Sequence, residues 1–317
     1  MAKALWTSGT LKMGRFMFGK YGAGAGSVKQ IVSDGDTVLL STPDNISSRF
    51  LGIDAAEMGF NLRPTGNYVK IDNPKWDAFF TSGAWKTDIT LTPDLQNHLE
   101  GRMAGGAMVA ANHHKHAMAA QRKTEELIEA DIAASGRTKE SFAFFTSFGN
   151  EFMDGYGRLL CYLHADKDNW TPEQRKLSYN ELLLVAGVVA PYFIYPNIQP
   201  FLAGSPFASA QVQPAGFWAA IAGAARLRAA RKAVANARTN RSGIFDNADP
   251  LILLPYELRF LARSGSSGPD RFVIDLGPGN GNTILRPEKY YTVANVEDRL
   301  FIPKEYVPLF LQNGWTL

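Results

Sequence analysis

The sequence contains little cysteine and no long apolar run, and each absence excludes a class of protein. Its 317 residues include a single cysteine, Cys161, so an internal disulfide framework is excluded. The longest apolar candidate, residues 182–193, is interrupted by Gly187 and Pro191 and falls short of the roughly 18 residues that a membrane span needs. With 45% hydrophobic and 20% charged residues, the composition is that of a globular protein, and we expect no membrane partner.

The first residues lack the pattern of a secretory signal. Basic residues are scattered through MAKALWTSGTLKMGRFMFGKYG, and no continuous apolar core stands ahead of a cleavage site with small residues. This start favours a cytoplasmic protein.

Acidic residues are absent from two segments, although the net charge of the whole chain is only +3. No acid precedes Asp34, and none occurs from residue 182 to residue 245. The basic residues of these segments are Lys3, Lys12, Arg15, Lys20 and Lys29 in the first, and Arg226, Arg228, Arg231, Lys232, Arg238 and Arg241 in the second. Two interpretations are equally open: a surface that faces a polyanion, or a solvated helix face together with a basic tail.

The residue patterns divide the chain into three predicted regions. The glycine-rich joint YGAGAGS (21–27) marks residues 1–26 as a basic N-terminal arm. Residues 27–246 form the main domain, and we predict an inserted lobe at about 58–115, where the regular pattern is lost. After Asp246 polar loops alternate with aromatic-rich segments, so residues 247–317 are predicted to be a small extension or a covering layer. Its aromatic end, residues 302–315, is predicted to dock on the barrel or on a protein partner.

Within the main domain, the patterns predict five strands with interleaved helices. The predicted strands are 27–32, 37–42, 47–54, 141–148 and 158–165, which are rich in aliphatic and aromatic residues. The predicted helices are 117–134, 177–189 and 214–237, the last with arginines on one face. Only turn residues separate the first three strands, so they are predicted to form a β-meander.

Carboxylates are concentrated at the ends of the second and third predicted strands. Asp34 and Gly35 are explained by a hairpin turn, but the turn does not require Asp36. Asp54 and Glu57 come at the end of the third strand, which a meander would bring beside Asp36. Such a cluster of hard oxygen ligands suits Ca²⁺ or Mg²⁺.

Two arginines accompany these acids. Arg49 stands where strand alternation predicts an apolar side chain, and Arg158 begins the fifth predicted strand. Phosphodiester hydrolysis needs a cation that polarises the phosphate, arginines that match the growing charge and a carboxylate that handles the attacking water. Taken singly, each of these residues is better interpreted as a member of a structural ion pair.

Four segments, taken in order, resemble the staphylococcal nuclease, or thermonuclease, family. They are DGDT (34–37), RFLGIDAAE (49–57), DGYGRLLCYLHAD (154–166) and NELLLVAG followed by YFIYPN (180–197). The resemblance implies an α+β fold, namely a five-stranded OB-type β-barrel with packed helices, here with an inserted lobe and a small C-terminal extension. It also implies Ca²⁺-dependent hydrolysis of single-stranded or double-stranded DNA, and of RNA, that leaves 3′-phosphate ends.

The resemblance assigns the metal ligands. Asp36 and Asp54 would bind Ca²⁺ together with the main-chain oxygen of Ala55. The family's usual Thr-Pro is replaced here by Ala55 and Ala56, which is tolerable because only a carbonyl is needed.

The resemblance also assigns catalytic and substrate-binding roles. Glu57 would act on the water as a general base or orient it, and the family leaves both roles open. Arg49 and Arg158 would hold the phosphate and its transition state. Tyr156 and Tyr195 fall at the positions where the family contacts the nucleotide.

A second class of function stays open, namely a nuclease-like barrel that has become a nucleic-acid-binding or scaffold module with weak or no catalysis. Gly155 and Phe193 stand where the family usually has a lysine and a tyrosine, so polar contacts that affect affinity are lost. Degenerate copies usually lose the acids or the arginines. This chain keeps all five, which favours the enzyme.

Two other motifs are predicted to be structural. The histidines of HHKH, His113, His114 and His116, have no cysteine or further histidine at ligand spacing, so a surface cluster is favoured over a zinc site. The segment RFVIDLGPGNGNTI (271–284) resembles the first motif of an S-adenosylmethionine methyltransferase. Too little chain follows for that fold, so we predict a strand and a glycine turn.

Overall fold

The computed structural model describes residues 5–8, 11–21, 24–41, 45–166, 177–198, 212–277, 279 and 281–317. The strands are β1 (Leu5–Ser8), β2 (Leu11–Phe18), β3 (Lys20–Tyr21), β4 (Gly24–Ala25), β5 (Val32–Asp34), β6 (Thr37–Ser41), β7 (Asn45–Phe50), β8 (Gly52–Asp54), β9 (Gly59–Leu62), β10 (Asn67–Lys70), β11 (Ala143–Met153), β12 (Leu159–Ala165), β13 (Ala190–Ile194), β14 (Arg271–Asp275) and β15 (Arg299–Pro303). The helices are α1 (Val28–Ile31), α2 (Lys75–Thr81), α3 (Pro93–Met103), α4 (Val109–Ser135), α5 (Tyr179–Ala186), α6 (Pro214–Gly223), α7 (Ala225–Thr239), α8 (Pro255–Ala262) and α9 (Val307–Gln312).

Five of the strands close into a barrel. β2 pairs with β11, β11 with β12, and β7 with β6, all antiparallel, while β12 pairs with β7 in parallel. The pairing of β6 with β2 closes the ring. The prediction of a mixed fold with a five-stranded barrel and several helices is therefore confirmed, and the strand order is consistent with an OB-type barrel.

The first strand of the barrel lies inside the segment predicted to be an arm. β2 (Leu11–Phe18) supplies this strand, whereas the prediction of a strand at 27–32 is wrong because α1 occupies most of it. The Ser27 hydroxyl accepts from the Gln30 N–H, and the Gln30 side chain accepts from the Ser27 N–H, which starts a helix. Lys3 and the side chains of Lys12 and Arg15 lie outside the described part of the chain.

The other predicted elements are found with shifted ends. The predicted strands at 141–148 and 158–165 correspond to β11 and β12, and the helix at 117–134 lies within α4. The helix predicted at 214–237 is two helices, α6 and α7, that meet at Ala224.

The described residues form two hydrophobic cores. One fills the barrel with residues such as Phe50, Phe144 and Leu163, and it extends to Phe310 and Trp315 near the C-terminus. The other joins residues 60–110 to residues 244–301, so the segment predicted as an inserted lobe packs on the segment predicted as an extension.

A second sheet attaches the C-terminal segment to the end of the barrel. Its order is β14-β15-β13-β8, and β8 directly follows the barrel strand β7. Asp54 in β8 pairs with Ala190 in β13, which in turn runs parallel to β15. This sheet carries the C-terminal segment to the end of the barrel where the predicted site residues lie.

Every helix in the described ranges is too short or too polar to cross a lipid bilayer.

Candidate functional site

A cleft of about 1110 Å³ lies between the barrel and the C-terminal segment. One wall comes from β7, β8 and the start of β12, and the opposite wall comes from α8 and the loop that leads to β14. The arginines that line it are Arg49, Arg158, Arg259, Arg263 and Arg271. The acids that line it are Asp34, Glu57, Asp154 and Asp270. Both signs of charge therefore meet in the cleft.

The hairpin turn between β5 and β6 positions Asp36. The Asp36 N–H donates to Asp34 Oδ1 at 3.1 Å, which confirms the local role predicted for Asp34. A Cβ at Gly35 would lie 2.5 Å from the Cβ of Ala120, so this position needs a glycine because α4 approaches the turn closely. The Thr124 hydroxyl in α4 also donates to the Gly35 carbonyl at 2.9 Å. Helix α4 therefore holds the hairpin turn in place.

Asp36 and Asp54 are fully buried and share one arginine. Arg49 donates through Nη1 to Asp36 Oδ1 at 2.5 Å and through Nη2 to Asp54 Oδ1 at 2.9 Å. The second Asp36 oxygen accepts from the Ala55 N–H at 2.9 Å. Ala55 thus contacts the cluster through its N–H, whereas the family resemblance implied a role for its carbonyl.

Arg259 in α8 completes the cluster from the other wall of the cleft. Its two terminal nitrogens donate to the two oxygens of Asp54, each at 2.8 Å. Nη1 also donates to Glu57 Oε1 at 2.7 Å. The acids and Arg49 were predicted to converge, and the structure brings them together, but this second guanidinium comes from outside the predicted main domain.

Burial and the two guanidinium groups act in opposite directions on these acids. Burial raises the pKa of Asp36 to about 7, although Arg49 opposes the shift. Burial also raises the pKa of Asp54 against the opposing effect of Arg259 and Arg49. Burial would raise the pKa of Glu57 too, but Arg259 and Arg49 prevail and the net pKa is lowered. Glu57 is therefore the one acid of the three for which the guanidinium groups outweigh burial.

The carboxylates of the cluster do not fit the Ca²⁺ site that the resemblance implied. Both oxygens of Asp36 and of Asp54 already accept hydrogen bonds from nitrogen donors. In the described ranges, no three His, Cys, Asp or Glu side chains are grouped so that they could hold a metal ion. A calcium ion needs six to eight oxygen ligands with free lone pairs, and here Arg49, Arg259 and the Ala55 N–H already bind five of the six oxygens of Asp36, Asp54 and Glu57.

Arg158 and Tyr156 line the same cleft at its mouth. Arg158 Nε donates to Asp154 Oδ2 at 2.7 Å, so its charge is partly neutralised within the turn that carries it. The Tyr156 ring is 71% exposed, with the guanidinium carbons of Arg158 and Arg263 at 5.4 and 5.5 Å from its centroid. Arg263 Nη2 also donates to the Tyr156 hydroxyl. These two predicted residues reach the cleft, but neither contacts the buried acids.

The substrate-binding role of Tyr195 is not supported. This side chain is 1% exposed and packs edge-on against Tyr306 and Phe310, at 5.4 and 4.9 Å between ring centroids. Alternation along β13 places Tyr192 and Ile194 on the cleft instead. Tyr192 stacks on Tyr256 with an angle of 10° between the rings, so it is the tyrosine of this strand that a ligand could reach.

The prediction that the histidines of HHKH form a surface cluster is wrong for His113 and His116, which are both buried. The helical spacing of α4 turns them towards the protein interior. His113 Nε2 accepts from the Glu57 N–H at 2.8 Å, and burial lowers the pKa of His113 to about 3. A neutral imidazole thus supports the backbone of Glu57.

The basic helix α7 proves to be mainly structural. Three of its four arginines pair with acids of other elements, in the pairs Arg226–Glu181, Arg231–Asp298 and Arg238–Glu297. These three side chains are neutralised within the protein, so they do not support the interpretation of the basic segment as a surface that faces a polyanion. Two of the three partners lie near β15, so α7 helps to hold the C-terminal segment in place.

Arg259, Arg263 and Arg271 were missed because they belong to the segment predicted to be an extension. One signal was available in PYELRFLAR (255–263), where arginines four residues apart lie on one face of a helix. The segment 271–284 does contain the predicted strand, as β14, and residues 278 and 280 of its glycine turn lie outside the described residues.

No protein-family model matches this chain, and none of the curated proteins matches it.

Proposed function

We propose that the cleft binds a strand of nucleic acid, DNA or RNA, and that the protein is a nuclease-like nucleic-acid-binding protein. The observation that carries the proposal is the exposed ring of Tyr156 with arginines Arg158 and Arg263 close to it at the mouth of the cleft. Aromatic rings and guanidinium planes stack on bases, and guanidinium groups pair with phosphates through two parallel hydrogen bonds.

Two arginines have charge available for a phosphate. Arg263 contacts the Tyr156 hydroxyl, and within the described ranges no carboxylate lies within salt-bridge distance of it. Arg271 has its partner Asp270 only at 4.0 Å, and the Asp270 side chain is 76% exposed. Ion pairs this open are weak, so an incoming phosphate can replace the carboxylate.

The floor of the cleft offers a second aromatic surface. Tyr192 stacks on Tyr256, and the guanidinium carbons of Arg259 and Arg271 lie 5.8 and 5.9 Å from the Tyr192 centroid. A strand that stacks a base near Tyr156 has this second site further along the same cleft. OB-type barrels bind single strands in this way, with a basic groove for the backbone and aromatic side chains for the bases.

The second candidate is Ca²⁺-dependent hydrolysis of phosphodiesters, as the family resemblance implies. One observation favours it: Arg49, Glu57 and Arg158 all line the same cleft. In such an enzyme the two arginines would hold the phosphate, and Glu57 would orient or deprotonate the water. The contacts of Arg49 and Arg259 with the three acids would first have to open, so binding is the function that the geometry supports better.

Fluorescence anisotropy of labelled single-stranded DNA and RNA tests the binding. Tyr156→Ala is expected to weaken binding by about tenfold, the usual effect of losing one stacked base. Arg263→Gln is expected to weaken binding and to reduce its salt dependence. Lys232→Gln, which removes an exposed charge on α7 outside the cleft, serves as the control and should leave the affinity unchanged. Equal losses in the control and in the cleft variants would refute the cleft as the binding site.

A cleavage assay decides between the two candidates. Labelled single-stranded and double-stranded DNA is incubated with the protein in calcium, in magnesium and in a chelator, next to the Glu57→Ser variant. Binding without cutting under all conditions supports the binding protein. Cutting that needs calcium and is lost in the variant would make the enzyme the correct function.

A further inference from the structure

The cluster at the base of the cleft holds three carboxylates and two guanidinium groups. Five of the six oxygens of Asp36, Asp54 and Glu57 accept a hydrogen bond from Arg49, Arg259 or the Ala55 N–H. The Asp54 carboxylate is bound on both oxygens by Arg259 and also by Arg49. Positive charge is thus already present where carboxylates of this kind would otherwise attract a divalent cation.

Arg259 is held in this position by the packing of its helix. Leu258 and Leu261 on either side of it are fully buried, and Glu257 is anchored by Arg102 and Tyr290. The Arg259 side chain itself is 19% exposed. Its guanidinium group is therefore a fixed part of the cluster, although 202 residues separate it from Glu57 in sequence.

We infer that Arg259 is the resident cation of this carboxylate cluster and that it excludes divalent cations from Asp54 and Glu57. A guanidinium group that forms two parallel hydrogen bonds with Asp54 and a third with Glu57 occupies three of the four carboxylate oxygens that a metal ion would need. The inference concerns the cation alone, so it does not depend on the proposed nucleic-acid ligand.

Removal of Arg259 is expected to create a metal site. In Arg259→Gln, three carboxylates would face the single guanidinium group of Arg49, and the excess negative charge would be open to the cleft. Affinity for calcium rises with the number of carboxylates that are free to act as ligands. The variant should therefore bind Ca²⁺ at least about tenfold more tightly than the unchanged protein.

Calorimetric titration of the full chain with CaCl₂, without nucleic acid, measures this difference. The unchanged protein is expected to give no saturable heat up to about 5 mM Ca²⁺, a concentration above the dissociation constants of weak calcium sites. Arg263→Gln is the matched control, because it removes the same charge from the same cleft four residues further on without touching the acids. It should behave like the unchanged protein, whereas Arg259→Gln should give a saturable signal and a higher melting temperature in calcium.

Two results would overturn the inference. One is saturable Ca²⁺ binding by the unchanged protein that disappears in Asp54→Asn, which would mean that calcium displaces Arg259. The other is a folded Arg259→Gln variant, checked by circular dichroism, that gains no affinity. If this variant does not fold, Arg259→Lys is used instead, because a lysine keeps the charge but reaches only one carboxylate at a time. The Arg259→Lys variant should then bind Ca²⁺ more tightly than the unchanged protein. Equal Ca²⁺ affinities of this variant and the unchanged protein would refute the role of Arg259.

Discussion

Helix α8 contributes to two ion clusters that are balanced in different ways. Glu257 belongs to the first cluster, where its carboxylate accepts from Arg102 at 2.7 and 2.6 Å, from the Tyr290 hydroxyl at 2.8 Å and from the Leu254 N–H at 2.7 Å. Arg259, two residues further on, belongs to the second cluster with the acids of the barrel. Two residues correspond to about 200° around a helix, so the side chains leave it on nearly opposite sides.

The difference between the clusters separates a structural role from a functional one. In the first cluster one carboxylate meets one guanidinium group, and the remaining hydrogen bonds come from neutral donors. In the second cluster three carboxylates meet two guanidinium groups, and Glu57 is partly exposed on the cleft, with 18% of its side chain accessible. A saturated cluster stabilises the fold, whereas an unevenly charged one at a cleft can respond to a ligand.

The largest expected effect is the loss of the first cluster. Glu257→Gln leaves the charge of Arg102 without its carboxylate, so the free energy of unfolding should fall by about 3 kcal/mol, the lower end for breaking a buried pair because Arg102 is 28% exposed. Urea denaturation measures the change. Glu100→Gln, which breaks the exposed pair with Lys86, is the control and should have a much smaller effect. Similar losses in both variants would show that Glu257 is not an anchor.

An intermediate effect is expected from the pH dependence of the second cluster. The pKa of Asp36 is raised to about 7 by burial, so protonation of Asp36 stabilises the folded state relative to the unfolded chain. This contribution to stability is complete below the pKa of the unfolded chain, about 4, and is lost as the pH rises through 7. The free energy of unfolding should therefore fall as the pH rises over this range.

Asp36→Asn tests this pH dependence. The variant has no titrating group at this position, so its unfolding free energy, measured in urea at several pH values, should lack that part of the slope. An unchanged slope between pH 4 and pH 7 would assign the dependence to other groups.

The smallest expected effect is the loss of a single neutral donor from the first cluster. Tyr290→Phe removes the hydroxyl that donates to Glu257 and should lower the free energy of unfolding by about 1.5 kcal/mol, a usual value for a hydrogen bond to a charged group. Urea denaturation of the variant, compared with Glu257→Gln, ranks the donors. A loss as large as that of Glu257→Gln would mean that the hydroxyl, and not Arg102, is the essential partner.

The barrel could be predicted from the sequence because its strands follow local rules. Alternating apolar residues and turn residues identified four of the five barrel strands, and the meander brought Asp36, Arg49 and Asp54 together as expected. The remaining strand, β2, was missed because its basic residues and the glycines after it are typical of an arm. Its pairing partners β6 and β11 come later in the chain, so no local pattern indicates it.

The candidate site could be predicted only in part, because long-range packing decides the rest. The contact between Arg259 and Glu57 spans 202 residues, and nothing in either segment indicates the other. Tyr195 was misassigned because successive residues of an extended chain point to opposite sides. Ile194 lines the cleft, so Tyr195, the next residue, places its ring in the core. His113 was misassigned because a run of polar residues in a helix is found on exposed helices and also on helices with one buried face, and here the buried face includes His113.

The attachment of Arg259 to the barrel acids has a consequence for how this sequence can vary over time. A substitution of Arg259 alone leaves excess negative charge in a buried site, and a substitution of Asp54 or Glu57 alone leaves excess positive charge. In diverging sequences, positions 54, 57 and 259 are therefore expected to change together, and an exchange of the C-terminal segment between relatives would succeed only when the acids of the barrel are exchanged with it.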